Sequence, residues 1–184
     1  MIDGPWEAVR AVRRQAYIGA QVIKISATGG VYGRSTGEGV EDEELRAEEI
    51  SMIVDEAHRR HLKVTAHAIG RRGIANCVDA GIDCIEHGHF IDMDLAEQMK
   101  QKGTALVPTL FVYRWLAAQD GIPVYARDKA RAIVDQHTIA LAAAEKAGLT
   151  IGAGSDAGSP QTPHPSLIEE IAALNMAGLS TAAA

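Results

Sequence analysis

Two periods of hydrophobic and polar positions run along this chain, and the switches between them mark out its elements. Short runs rich in Val, Ile and Ala, at 21–27, 63–68, 82–87, 104–110 and 149–155, read as β-strands. Between them, apolar residues recur at three- and four-residue spacing. These segments predict helices over 5–20, 42–60, 71–80, 93–102, 126–147 and 166–178. The 42–60 segment places Leu45, Ile50, Ile53, Val54 and Ala57 on one stripe. Its start is acidic (Glu41 to Glu44) and its end basic (Arg59, Arg60), as a helix dipole favours. The 126–147 segment repeats the pattern through Ala126, Ala130, Ile133, Val134, His137, Leu141 and Ala144, which makes His137 a packed core histidine.

Strand and helix alternate, and the units starting near 63, 84 and 105 recur about every 21 residues. Such alternation predicts an α/β fold with five parallel strands, flanking helices and right-handed crossovers. Five strands do not close a (β/α)₈ barrel, which needs eight strands and typically ~250 residues. The chain is either an open doubly wound domain or part of a barrel. The segment 28–40 carries five of the 18 glycines and reads as an irregular loop. Its Gly29-Gly30 pair lacks a phosphate-binding pattern.

Composition narrows the picture. At 184 residues the chain has length for one domain, 1–184, with a substantial core. With aromatics at 4%, that core must be aliphatic. A net charge of −6 with no basic run argues against nucleic acid as a partner. No apolar run reaches the ~20 residues of a membrane span. Cys77 and Cys84 lie outside any CxxC pair and read as buried thiols in a reducing compartment, which favours the cytoplasm.

The chemistry lies at the ends of the apolar runs. Lys24 in QVIKISATGG, His67 in KVTAHAIG, His87 in CIEHGHF and Asp156 in TIGAGSDAG each stand at the C-terminal tip of an expected strand. In a parallel barrel those tips share one mouth, so residues distant in sequence meet around one substrate. Each has a plainer reading: a lysine paired to a carboxylate, a hydrogen-bonded core histidine, an aspartate capping the next helix. Together they read as a metal-dependent hydrolytic site, since neutral imidazole suits zinc and a carboxylate can move protons beside it. His89, two residues after His87, is a candidate substrate contact, as are Tyr113 with Arg114 after VPTL and His164 in QTPHPS. His58 and His61 fall at a helix end and read as solvated.

The stretches VIKISATGGV, VTAHAIG, GIDCIEHGHFID, LVPTL and IGAGSDAG resemble the amidohydrolase superfamily, nearest to its imidazolonepropionase-like and Xaa-Pro or Xaa-Arg dipeptidase branch. The resemblance implies a partial TIM (β/α)₈ barrel in which the five strands here are barrel strands four to eight, with the first three missing. It implies that Lys24 matches a buried lysine carboxylated by carbon dioxide to bridge two divalent ions, zinc foremost. His67 and His87 then match the histidine ligands of strands five and six, and Asp156 the aspartate that binds metal and handles protons.

The family's first-strand HxH pair has no counterpart before Lys24, which implies a fragment of an amidohydrolase. Such a chain is expected to hold at most one weakly bound ion and to have negligible activity alone. The implied reaction of the intact protein is hydrolysis of amide C–N bonds in small-molecule or dipeptide substrates. Lactone or phosphoester hydrolysis is the alternative within the superfamily, and a non-catalytic or phosphate-binding half-barrel the alternative outside it. Pairing of two arcs through their open edges would give a homo-oligomer.

Overall fold

The computed structural model describes residues 2–159, 162–164 and 166–179. Its elements, in chain order, are α1 (Pro5–Tyr17), β1 (Val22–Ser26), α2 (Ala47–His58), β2 (Lys63–Ala68), α3 (Arg71–Asp79), β3 (Cys84–His87) and α4 (Met93–Lys102). They continue with β4 (Ala105–Val107), α5 (Leu110–Ala118), α6 (Val124–Lys146) and α7 (Leu167–Met176). The strands form one parallel sheet in the order β1-β2-β3-β4, so each α crossover leads to the adjacent strand.

The expected fifth strand is not a strand. Among the described residues, 149–155 contributes a parallel bridge from Ile151 to Leu106, flanked by Leu106 N–H donating to Thr150 O and Gly152 N–H donating to Leu106 O, both at 2.9 Å. Gly152 and Gly154 explain the shortfall, because glycine offers a ladder no side chain to pack and the largest entropy to lose. Gly154 sits so close to Val107 that a Cβ there would lie 2.4 Å from a valine methyl.

Two helix expectations also change. The helix expected from 42 starts at Ala47, and Glu43 instead bridges Thr28 in the preceding loop. Residues 110–118, which were not expected to be helical, form α5. Their sequence LFVYRWLAA is apolar apart from Arg114 and rich in aromatic and branched residues, so its period does not tell helix from strand.

Burial alternates along the strands. Ile23, Ile25, Val64, Ala66, Ala68, Ile85 and Leu106 are buried in a core shared with α1 to α4, including Val12, Ile50, Ile53, Ile74, Leu95 and Met99. The opposite face, carrying Val22, Lys24, Ser26, Thr65, His67, Cys84 and Glu86, is exposed or only partly covered. A parallel sheet usually has both faces covered; this one is covered on one. The expectation of two buried thiols therefore holds for Cys77 alone, since Cys84 stands on the open face.

A second core sits above the strand tips, where Val31 and Ile69 meet Val112, Tyr113, Leu116 and Ile133 of α5 and α6. A third docks α7 through Ala173 and Leu174 onto Leu110 and Leu141. These two cores hold α5 across the C-terminal ends of the strands, which is what gives the site a wall.

Candidate active site

Strand register puts the chemistry in neighbouring positions. Lys24 pairs with Thr65 and Thr65 with Cys84, while Ser26 pairs with His67 and His67 with Glu86. Side chains of one register row share a face, so Lys24, Thr65, His67 and Glu86 stand together on the open side. Glu86 is the hub there. Its carboxylate accepts from Thr65 Oγ1 at 3.0 Å and forms an ion pair with Lys24 Nζ. The family resemblance implied a buried lysine at position 24. Its side chain is instead 54% exposed, because β1 is an edge strand and its polar face is uncovered.

His67 Nε2–H donates to Gly29 O at 3.1 Å, which brings the glycine-rich loop against the ring. Gly30 permits this approach, since a Cβ there would lie 3.3 Å from His67 Cε1. His87, at the tip of β3, is 2% exposed and its ring centroid is 4.5 Å from that of His67. His87 Nδ1 is 2.7 Å from Thr109 Oγ1, and His137 Nε2–H donates to His87 O at 2.9 Å. Burial lowers the pKa of His67 and lowers that of His87 further, which favours the neutral ring, the form that binds metal.

Three residues around the site have left-handed backbones: His87 (φ 74°), Thr109 (φ 55°) and Asp156 (φ 49°). Non-glycine residues seldom adopt this conformation, and such strain concentrates at functional sites. The fourth case among the described residues, His61, lies in the exposed turn after α2.

A cavity of about 200 Å³ opens between the glycine-rich loop and α5, with His67, Tyr113, Asp156 and Ser159 among its walls and Val31 and Leu116 supplying apolar surface. Ser159 Oγ–H donates to Asp156 Oδ2 at 3.1 Å. Tyr113 is buried, and burial together with the charges of Asp156 and Glu86 holds its phenol well above the ordinary tyrosine range. The shift favours the protonated phenol, which can donate a hydrogen bond. A larger cleft of about 520 Å³ follows the free edge of β1 past Val22, Lys24 and Ser26, away from the histidines.

The structure thus gathers His67, His87, Tyr113 and Asp156, with Lys24 beside them through Glu86. His89 is fully buried, stacked on His137 (centroids 3.7 Å apart) and edge-on to Tyr113, so it underlies the cavity wall and does not reach the opening. His137 is the core histidine that its helical stripe indicated, with a pKa lowered by burial to about 3. His164 is exposed. Arg114 turns away from the cavity to Thr138 Oγ1 at 3.3 Å. Glu86 and Thr109 were not singled out from the sequence. The two-residue strand period of CIEH could have marked Glu86 as facing the same way as Cys84, whereas nothing local marks Thr109.

The donors fit a divalent cation in kind: two neutral imidazoles in contact, a carboxylate in the adjoining wall and a lysine on the neighbouring strand. They do not form a closed coordination set as they stand. Among the described residues, no group of three or more His, Cys, Asp or Glu side chains could hold an ion. His67 Nε2–H is spent on Gly29, and Lys24 on Glu86.

The amidohydrolase family model matches residues 1–184. The chain belongs to the amidohydrolase family. Ochratoxinase of Aspergillus niger is 38% identical over 156 residues, covering 84% of this chain and 32% of that protein. Its crystal structure superposes with a TM-score of 0.86 at 35% identity, over 98% of this chain and 41% of that one. A Xaa-Pro dipeptidase crystallised with methionine in its active site gives a TM-score of 0.89 at 30% identity, over 99% of this chain and 45% of that one. This amidohydrolase chain therefore spans about a third of the length of the curated relative and under half that of the solved structures. Its four parallel strands and flanking helices are consistent with part of the barrel of those enzymes.

Proposed function

We propose that the protein containing these residues is a metal-dependent hydrolase of amide C–N bonds, with dipeptide-like molecules as its substrates. The observation that carries this reading is the edge-to-face pair of neutral imidazoles, His67 and His87, beside a cavity walled by Asp156 and Tyr113. The amidohydrolase match and the likeness to a Xaa-Pro dipeptidase support the same chemistry.

His67, His87 and, once carboxylated, Lys24 would hold a divalent ion, zinc foremost, which would supply carbonyl polarisation and an acidified water. Asp156 takes the proton from the attacking water and returns it to the departing amine. Tyr113 keeps its proton and donates a hydrogen bond to the substrate. Val31 and Leu116 give the cavity an apolar wall. Carboxylation of Lys24 requires release of its ion pair with Glu86, because only the neutral amine attacks carbon dioxide.

Two measurements test this. The whole protein, assayed against dipeptides, a lactone and a phosphotriester, is expected to turn over the dipeptides. Asp156→Asn should lower kcat by ~10²-fold or more, as loss of a general base does. Preference for the lactone or phosphotriester would replace the amide assignment. The 184-residue chain itself is expected to keep at most one ion after dialysis and to show negligible turnover; two tightly held ions per chain would contradict this.

A further inference from the structure

Thr109 stands at the N-cap of α5, where a threonine hydroxyl ordinarily accepts from a backbone N–H two or three residues ahead. It makes no such bond. Its hydroxyl is committed to His87 Nδ1 at 2.7 Å. The free N–H groups at the start of α5 are taken by another residue: Leu110 N–H and Phe111 N–H donate to the two carboxylate oxygens of Glu170, at 2.9 and 2.7 Å. Glu170 lies on α7, is fully buried and is 60 residues from Leu110. A buried carboxylate is costly, and burial raises the pKa of Glu170; the two amides and the positive end of the helix offset part of that cost.

The arrangement is odd as a stability device. A Thr109 that capped its own helix would need neither a buried acid nor a β-branched residue at φ 55° and ψ 45°. Strain of that kind persists only where the surroundings fix it. What the exchange of roles achieves is a hydroxyl held against His87.

We propose that Glu170 is a positioning residue for His87. By capping α5 in place of Thr109, it leaves the Thr109 hydroxyl to accept from His87 Nδ1–H, which fixes the imidazole as the tautomer with its lone pair on Nε2. The purpose of this rests on His87 being a metal-binding group, for which that nitrogen must be unprotonated. The path runs from the last helix through the first turn of α5 to the tip of β3.

The test is long-range ¹H–¹⁵N NMR on the 184-residue chain labelled at histidine, above pH 7. The expected result is His87 protonated on Nδ1 in the unaltered chain. Thr109→Val should move it towards the Nε2–H form, and Thr109→Ser should restore it. Glu170→Gln should displace the same resonance in the same direction, and the Thr109→Val/Glu170→Gln double variant should match Thr109→Val alone, since one acts through the other. If Glu170→Gln fails to fold, Glu170→Asp, which keeps the charge and shortens its reach, serves for the same measurement. An Nε2–H tautomer in the unaltered chain, or a His87 signal indifferent to Glu170, overturns the proposal.

Zinc affinity, by competition with a chromophoric chelator, separates the two readings. Weakening of ~10-fold or more in both variants is expected for a residue that orients a ligand. A tautomer that moves while zinc affinity stays level supports the positioning role and removes the metal assignment.

Discussion

Glu56 shows how single charges tie this molecule together. It lies on α2, almost wholly buried, and its carboxylate accepts from Arg13 of α1 at 2.9 Å and from Arg60 at 2.8 Å. Those guanidiniums, Arg13 first, hold its pKa down to about 2 from an ordinary 4.5. A carboxyl with a depressed folded-state pKa contributes stability that is complete above its unfolded value and fades as pH falls towards the folded one. Urea melts between pH 5 and pH 3 should therefore lose stability, and Glu56→Gln should flatten that dependence while lowering stability at pH 7. A slope unchanged by Glu56→Gln would assign the acid sensitivity to other groups. The site residues obey the same logic of environment: one protein surface leaves Lys24 solvated beside Glu86 and encloses His87 almost completely.

At the scale of elements, α4 carries the clearest boundary signals. Asp92 accepts from Leu95 N–H at 2.9 Å as the N-cap and pairs with Arg71 of α3 at 2.5 Å, while Gly103 closes the helix in the left-handed conformation. Asp92→Ala should cost about 1 kcal/mol in urea unfolding, the usual size of a lost cap. The sequence marks elements of this kind, β2 and β3 among them, through apolar periods that run unbroken. The 149–155 segment is not so marked, because Gly152 and Gly154 interrupt a run whose hydrophobicity looks strand-like. Helix α5 was hidden by its nearly uniform apolarity. In the site, Lys24, His67, His87 and Asp156 stand out because each closes an apolar run in the sequence, although Lys24 proves to be the middle residue of β1 and Asp156 follows a single bridge rather than a strand. Glu86 needed a register, and Thr109 and Glu170 needed partners 22 and 59 or 60 residues away, which no local pattern encodes.

At the scale of the whole molecule, the dominant fact is a parallel sheet with one bare face and a free edge at β1. Val22 is 51% exposed on that edge, and Trp6, Tyr17 and Ile18 are exposed nearby in sequence. Unpaired edges recruit other strands unless a charge blocks them. Light scattering on dilute solutions of the 184-residue chain is expected to show self-association, reduced by Val22→Lys. A monomer at every concentration would show that the edge is protected by other means. No described helix is long and apolar enough to cross a membrane.

The bare face also carries its own reporter. Burial raises both thiols, that of Cys77, sealed in the core, to about 12, whereas Cys84 sits in the row of Lys24 and Thr65 with only partial cover and so is the accessible one. A maleimide should therefore modify one thiol per chain in the native state. Whatever comes to lie over that surface, be it another strand, a second molecule or a substrate, will register as a slower labelling rate at a single atom.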